Sequence, residues 1–180
     1  MRTMLTVIAL MLSLSVPTSF AATVDPVAKT VQLINSYRAK HGVRPLTLDS
    51  TISRTAQDWA DQLHRTAAFE HRPNNAYSEN LFWMGGRTRK IDEVIQKALE
   101  SWYGESRGYQ YSKEMTPSTI NYGVLHFTAM VWKSSDRVGV GLKQGANGNY
   151  VVVNFALRGN VLNQFVLNVP PPVTAARQSP

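Results

Sequence analysis

Cysteine is absent from the 180-residue chain. Its absence excludes disulfide bonds, thiolate zinc sites, cysteine nucleophiles and thiol redox chemistry. Disulfides mainly rescue secreted domains that are too small to bury a sufficient core, and a chain of this length can bury one without them. The sequence also lacks an Asn-X-Ser/Thr acceptor, so N-glycosylation is not expected.

Acidic residues are outnumbered by basic ones, with 12 Asp and Glu against 19 Lys and Arg and a formal net charge of +7. No nucleic-acid recognition motif accompanies this basic excess, so we do not expect nucleic acid as a partner. Arg87, Arg89 and Lys90 form a local basic cluster. This cluster either binds anionic lipid head groups, at about 1 kcal/mol per basic residue near the surface, or is a plain solvated loop.

Long apolar runs are missing except near the amino terminus. There Arg2 supplies a positive start, Thr6 to Val16 is mostly apolar, and Ser19 to Ala21 offers small residues at the cleavage-recognition positions. A signal anchor is the alternative, but two serines and a proline interrupt the run, which is short for a membrane span of about 20 residues. We therefore predict that residues 1–21 are a signal peptide and that the protein is secreted.

Helical periodicity predicts three amphipathic helices in the remaining chain. The first is capped by Asp25 and stops at Gly42. The second begins at Asp49 or Ser50, and the third runs from Ile91 to Trp102. Amphipathic helices of this kind are expected to pack on a flat surface.

Strand signals alternate with these helices. Leu81 to Met84 is typical of a short strand, and two strands, 137–143 and 150–157, are predicted to form a hairpin around Asn147-Gly148. Residues 126–132 are predicted to form a short helix. Both faces of the last strand are apolar, which predicts a sheet covered on both sides and thus three layers.

Four ionisable residues lie in short, apolar, aromatic-rich segments: His71, Glu79, Glu105 and His126. Burying an unpaired charge costs several kcal/mol, so such groups are either paired or functional. Because 55 positions separate the two histidines, only the fold can bring them together. The other two histidines, His41 and His64, need no more than surface or packing roles.

The chain resembles the CAP superfamily, which groups cysteine-rich secretory proteins, venom antigen five and plant pathogenesis-related proteins. The resemblance covers about Val27 to Pro170 and is closest to the cysteine-poor, Golgi-associated branch. It is carried by these segments: Glu79-Asn80-Leu81, Trp102-Tyr103-Gly104-Glu105, His126 to Lys133, and Tyr150 to Asn160. It implies an α/β fold, a three-layer α-β-α sandwich with a small, mainly antiparallel sheet, over residues 24–169. A flexible, Pro-rich tail is expected from 170 to 180.

The same resemblance implies one central cavity lined by both histidines and both glutamates. His71 and His126 would bind zinc or another divalent cation, since neutral imidazoles with nearby carboxylates suit Zn²⁺. The implied function is a secreted binding module for a sterol, another lipid, an anionic membrane surface or a protein partner. A purely structural hydrogen-bonded network of the four residues is the simpler interpretation.

A metal-dependent hydrolase is the enzymatic alternative, with Glu79 or Glu105 as general base on a metal-held water. The sequence offers little support, because it has no His-Glu-X-X-His helix, no Gly-X-Ser-X-Gly elbow and no phosphate-binding glycine loop. We therefore regard catalysis as the less favoured interpretation.

Aromatic residues border the segment from Gly108 to Gly123, which lacks periodicity and is predicted to be an irregular loop. By resemblance, lipid or partner contacts are expected at Trp102, Tyr103, Tyr109 and Tyr111. We expect replacement of Tyr109 and Tyr111 by Ala to weaken lipid binding without unfolding the domain. Trp83 is another candidate cavity wall, whereas Trp132 is expected in the core.

Three positions depart from the family pattern. Leu125 and Ser78 stand where glycine precedes the motif His and Glu, and Leu157 replaces a common proline. Loss of glycine restricts the backbone wherever φ must be positive. We therefore expect a reshaped cavity more than an altered fold.

Overall fold

The structure is a computed structural model that describes residues 25–86 and 89–173. The predicted signal peptide, Arg87 of the basic cluster and residues 174–180 lie outside the described residues. Within these ranges the helices are Pro26–Lys40 (α1), Ser50–Thr66 (α2), Ile91–Gly104 (α3), Leu125–Val131 (α4) and Phe165–Asn168 (α5). The strands are Thr47–Leu48 (β1), Ser78–Met84 (β2), Arg137–Gly145 (β3) and Gly148–Ala156 (β4). Short 3₁₀ helices at Glu105–Gly108 and Tyr122–Val124 flank the irregular loop.

The sheet is mixed and has the order β1-β3-β4-β2. β1 pairs parallel with β3, and the other neighbours are antiparallel. The α/β sandwich with a small, mainly antiparallel sheet is therefore confirmed. No helix in the described part of the chain has the length and apolarity that a membrane crossing requires.

Both predicted helix caps are confirmed. The Asp25 carboxylate accepts the N–H of Ala28 at 3.1 Å, and the Asp49 carboxylate accepts those of Thr51 and Ile52 at 2.8 and 3.0 Å. Each cap satisfies backbone donors that the first helical turn leaves unpaired. These local signals explain why the starts of α1 and α2 were predictable.

The central strand β4 is buried along its whole length because helices cover both faces of the sheet. α2 covers one face and forms a cluster of buried side chains with the sheet: Ala56, Ala60, Leu63, Leu81, Tyr150 and Val152. α1, α3 and α4 cover the other face, around Val151, Val153 and Phe155. α2 lies so close to β3 that a Cβ at Gly139 or Gly141 would overlap the α2 backbone. The three predicted layers are present.

Two strand boundaries differ from the prediction. β2 begins at Ser78 rather than Leu81, because three polar-rich residues pair with β4 before the apolar run starts. The β3–β4 turn is formed by Ala146 and Asn147, and Gly148 already pairs with Gly145. Gly148 has φ of +101°, as a glycine after a tight hairpin turn often has.

A buried arginine joins distant parts of the chain. The Arg38 guanidinium donates to four carbonyl oxygens, those of Arg44, Met130, Trp132 and Ser135, at 2.9–3.1 Å. Burial lowers its pKa to about 10, with Arg44 contributing, so the group stays charged near pH 7. This interaction has no local sequence pattern and was therefore not predictable.

The first residues of the predicted tail contact the body of the protein. The Pro170 carbonyl accepts a hydrogen bond from His41 Nδ1 at 2.8 Å, and the Val173 N–H donates to the Lys40 carbonyl at 2.8 Å. Tyr103 O–H donates to the remaining ring nitrogen of His41 at 3.0 Å. His41 therefore has the packing role expected for it.

Candidate functional site

The first His–Glu pair lies at the start of β2. His71 Nδ1 is 2.9 Å from Glu79 Oε1. The Glu79 carboxylate also accepts the Arg72 N–H at 3.0 Å and the Asn75 side-chain amide at 2.9 Å. Its side chain is only 3% exposed, whereas that of His71 is 66% exposed. A buried carboxylate thus holds an imidazole that faces solvent.

The second pair lies where α3 ends and α4 begins. His126 Nδ1 is 2.6 Å from Glu105 Oε1, and Glu105 Oε2 accepts the N–H groups of His126 and Phe127 at 3.0 and 3.1 Å. The imidazole stacks on Trp102, with ring centroids 6.1 Å apart and an interplanar angle of 19°. Glu105 thereby both orients the ring and satisfies the first amides of α4.

The two pairs share one chemical arrangement. An ionised carboxylate only accepts hydrogen bonds, so in a neutral imidazole Nδ1 carries the proton and Nε2 keeps its lone pair. Nε2 is then the ring atom able to bind a metal, while the carboxylate fixes the ring orientation. Each carboxylate already accepts three of the roughly four hydrogen bonds available to it. This geometry suits positioning of the imidazoles better than general-base chemistry at a carboxylate.

The first pair borders a polar cavity. A cavity of about 500 Å³ contains the first pair and has a polar lining: His71, Arg72, Asn74, Asn75, Tyr77, Ser78, Glu79, Arg158, Gly159 and Asn160. Neither Glu105 nor His126 belongs to this lining. Among the described residues, no group of three or more His, Cys, Asp or Glu is placed to hold a metal ion. A single cavity lined by all four residues therefore stays a prediction.

Neighbouring residues of β2 support the two pairs. Successive side chains of β2 point to opposite faces of the sheet. Glu79 points towards His71, whereas the next residue, Asn80, donates its side-chain amide to the His126 carbonyl at 2.9 Å. The two pairs are thus supported from opposite faces of one strand.

A short strap after β4, residues 157–160, connects the cavity wall to α4. Ser78 Oγ accepts the Gly159 N–H at 2.8 Å and lies 3.2 Å from the Gly159 carbonyl. Asn160 donates to the Leu125 carbonyl at 2.9 Å and accepts from Thr128 Oγ1 at 2.6 Å. The strap lies within the segment Tyr150 to Asn160 that carries the family resemblance, but its contacts with Ser78 and α4 were not predictable from the sequence.

The structure shows the surroundings of the three positions that depart from the family pattern. Ser78, in place of glycine, provides the hydroxyl that holds Gly159. Leu125 has φ of −74°, so its backbone does not require glycine. Leu157 is 56% exposed at the surface end of the strap. The three residues are therefore compatible with the fold, and of the three Ser78 lines the cavity.

The aromatic loop is more buried than expected. Trp102 and Tyr109 are 2% and 7% exposed, and Tyr103 and Tyr111 are half-buried. Tyr109 packs edge-on against Tyr111 and Phe127 at 4.9 and 5.7 Å between ring centroids. Tyr109 therefore has a packing role that its place in an irregular loop did not indicate, and ligand contacts of these four residues stay predictions. Trp132, by contrast, is in the core as predicted, and Trp83 is about half exposed.

A smaller cavity of about 110 Å³ adjoins this loop. Tyr109 lines it, and the Tyr109 hydroxyl is buried without a hydrogen-bond partner among the described residues. Burial, with Glu114 and Tyr111 contributing, raises the pKa of Tyr109 to about 12. The hydroxyl therefore stays protonated at any physiological pH.

The sandwich and its His–Glu pairs define the class of the protein, and comparison with known proteins agrees. The model of the cysteine-rich secretory protein family, CAP, matches residues 31–155, and the chain belongs to this family. It is 35% identical over 144 residues to the Golgi-associated plant pathogenesis-related protein 1 of Homo sapiens, covering 77% of this chain and 88% of that protein. It is 34% identical over 131 residues to pathogenesis-related protein 1C of Nicotiana tabacum, covering 72% and 74%.

Solved structures agree on the fold. The crystal structure of NaASP2 with Zn²⁺ superposes with a TM-score of 0.65 at 24% identity, covering 75% of this chain and 80% of that one. The structure of BmVAL-1 superposes with a TM-score of 0.64 at 20% identity, covering 81% and 82%. At these identities the likeness shows the fold alone.

Proposed function

We propose that the protein is a secreted binding module and that its ligand site is the polar cavity beside His71. The observation that carries this proposal is the combination of a roughly 500 Å³ cavity with an imidazole whose Nδ1 is held by buried Glu79. Ligand sites typically occupy about 300–1,000 Å³. Secretion is supported by relatives such as secreted protein RBT4 of Candida albicans, 35% identical over 133 residues and covering 71% of this chain.

A divalent cation is the first ligand we propose for this module. The donor set fits, because Nε2 of His71 and Nε2 of His126 both keep a lone pair. Zinc accepts imidazole ligands and completes its coordination with water or substrate. The relative NaASP2 was crystallised with Zn²⁺. Two imidazoles without a third protein ligand would bind zinc more weakly than a complete structural site.

Calorimetric titration of Zn²⁺ into the mature protein tests this proposal. His71→Ala and His126→Ala are the test variants, and each is checked for folding by circular dichroism. His64→Gln is the matched control, since the His64 ring bonds no carboxylate among the described residues. We expect saturable binding that both test variants lose and the control keeps. Binding unaffected by either substitution would contradict the cation site.

A sterol, another lipid or a protein partner at the aromatic loop is the second candidate. Exposed Tyr122, 75% accessible at the loop's end, is the observation in its favour. The adjoining cavity of about 110 Å³ is too small for a whole lipid, so a lipid would have to bind on the surface or widen the loop. Sterol retention by wild type and not by Tyr122→Ser would support this candidate, and equal retention would exclude Tyr122 as a contact.

A further inference from the structure

We propose that the ligand of the His71 cavity carries an anionic oxygen group, such as a carboxylate, sulfate or phosphate, and that Arg158 binds it. The inference rests on the proposed function, because it assumes that this cavity is the ligand site. It adds a chemical class for the ligand and a residue that selects it.

Internal hydrogen bonds use up most of the acceptors that line the cavity. Glu79, the one acidic lining residue, accepts from His71, Arg72 and Asn75. Asn75 donates both amide hydrogens, to Glu79 and Asn154, and its oxygen accepts the Tyr77 N–H. These acceptors are therefore largely unavailable to a ligand.

Two further lining residues are also occupied. Ser78 exchanges hydrogen bonds with Gly159, and Asn160 uses its amide and its oxygen on α4. Among the lining side chains, the Arg158 guanidinium offers the most donors without a partner among the described residues. Such a guanidinium is complementary to an oxyanion, which only accepts hydrogen bonds.

The charges favour the same ligand. Arg72 donates to the Thr55 carbonyl at 2.9 Å and pairs with Asp58 at 3.0 Å, and neither partner belongs to the cavity lining. Arg158 is exposed and forms no ion pair within the described ranges, so its charge is available to a ligand. The lining holds two arginines, Arg72 and Arg158, and one carboxylate, Glu79, so its formal charge is positive.

The backbone at Arg158 is fixed, which distinguishes it from an ordinary surface arginine. Gly159 is held by Ser78, and Asn160 is held by Thr128 and Leu125. The side chain of Arg158 thus starts from an anchored strap at the cavity rim. Binding then costs the entropy of ordering one side chain rather than a loop.

Amide chemical shifts measured by ¹H–¹⁵N NMR provide the test. Sodium sulfate or sodium phosphate replaces sodium chloride at constant ionic strength, and wild type is compared with Arg158→Gln and Arg107→Gln. Arg107 is the matched control, being an exposed arginine outside the cavity lining. We expect saturable shifts at Gly159 and Asn160, weakened roughly tenfold or more in Arg158→Gln, as loss of a charge-assisted hydrogen bond predicts, and unchanged in Arg107→Gln.

A second arm distinguishes a soluble ligand from a lipid head group. Sedimentation with phosphatidylglycerol vesicles, against phosphatidylcholine vesicles, is measured for the same three proteins. Loss of vesicle binding in Arg158→Gln together with loss of the sulfate shifts supports an oxyanion site that a head group can reach. Loss of the sulfate shifts alone supports a site for a soluble anion.

The inference is overturned if the cavity amides show no saturable shift, or if both arginine variants respond as wild type does. Zinc binding that depends on His71 would then still support the proposed function. If neither zinc nor the anions perturb the cavity amides, the proposed function fails together with the inference.

Discussion

Replacing Glu105 by Gln should reverse the tautomer of His126 while leaving its imidazole in place. In wild type the carboxylate lies 2.6 Å from Nδ1 and accepts the N–H groups of His126 and Phe127. A glutamine has one oxygen, which would keep the two backbone bonds, so its NH₂ group would face Nδ1. Nδ1 must then accept a hydrogen bond, and the ring proton moves to Nε2.

The magnitudes follow from these contacts. Hydrogen bonds to a charged acceptor contribute about 1.5–3 kcal/mol, against about 0.5–1.5 for neutral ones, so weakening them should destabilise the fold by about 1–3 kcal/mol. For a domain of this size that corresponds to a Tm lower by roughly 2–12 °C. Because protonated Nε2 cannot bind a metal, zinc affinity should fall by about 10–100-fold, the usual effect of losing a carboxylate partner.

Long-range ¹H–¹⁵N NMR of ¹⁵N-histidine-labelled protein reports which ring nitrogen carries the proton, and calorimetry reports zinc affinity. Glu100→Gln is the matched control, since Glu100 lies on α3, which ends just before Glu105, and accepts only from Gln96 among the described residues. A Glu105→Gln protein in which Nδ1 of His126 still carries the proton, or whose zinc affinity matches that of the control, would refute this reasoning.

Two further predictions concern buried rings. Tyr109→Ala should destabilise the protein by about 3–5 kcal/mol, as removal of a large core ring does. Tyr109→Phe should cost about 1 kcal/mol or less, because the lost hydroxyl has no partner among the described residues. If urea denaturation gave the same loss of unfolding free energy for both variants, the hydroxyl would have to be bonded. Burial lowers the pKa of His41, the bond to the Pro170 carbonyl partly offsets this, and Lys40 adds to the lowering. The unfolded chain, in which the His41 pKa is about 6.5, then binds more protons than the folded protein as the pH drops through that value, so the stability of the fold should fall. A Tm that declines equally between pH 7.5 and 5 in wild type and His41→Gln would contradict this prediction.

Local chemistry made much of the fold predictable. The caps at Asp25 and Asp49 act within three residues, and the apolar stripe of α3 repeats at helical spacing, so both can be identified without a structure. The start of β2 could not, because Ser78 to Asn80 become strand only through pairing with β4. Arg38 was likewise unpredictable, since its acceptors are carbonyls up to 97 positions away.

The candidate site was predictable in its residues and not in its grouping. The aromatic surroundings of the two histidines and two glutamates indicated paired groups, and the structure pairs His71 with Glu79 and His126 with Glu105. The division into two pairs depends on which face of β2 each side chain occupies, and that requires the strand register. Their metal and ligand roles stay predictions.

The Arg38 guanidinium connects parts of the chain that lie 92 to 97 residues apart. In many small extracellular domains a disulfide makes such long-range connections, and its survival depends on the redox potential of the surroundings. Hydrogen bonds from a guanidinium to carbonyl oxygens involve no electron transfer. Reductants therefore cannot break this connection, and only conditions that hydrate the buried carbonyls, such as heat or denaturant, can release it.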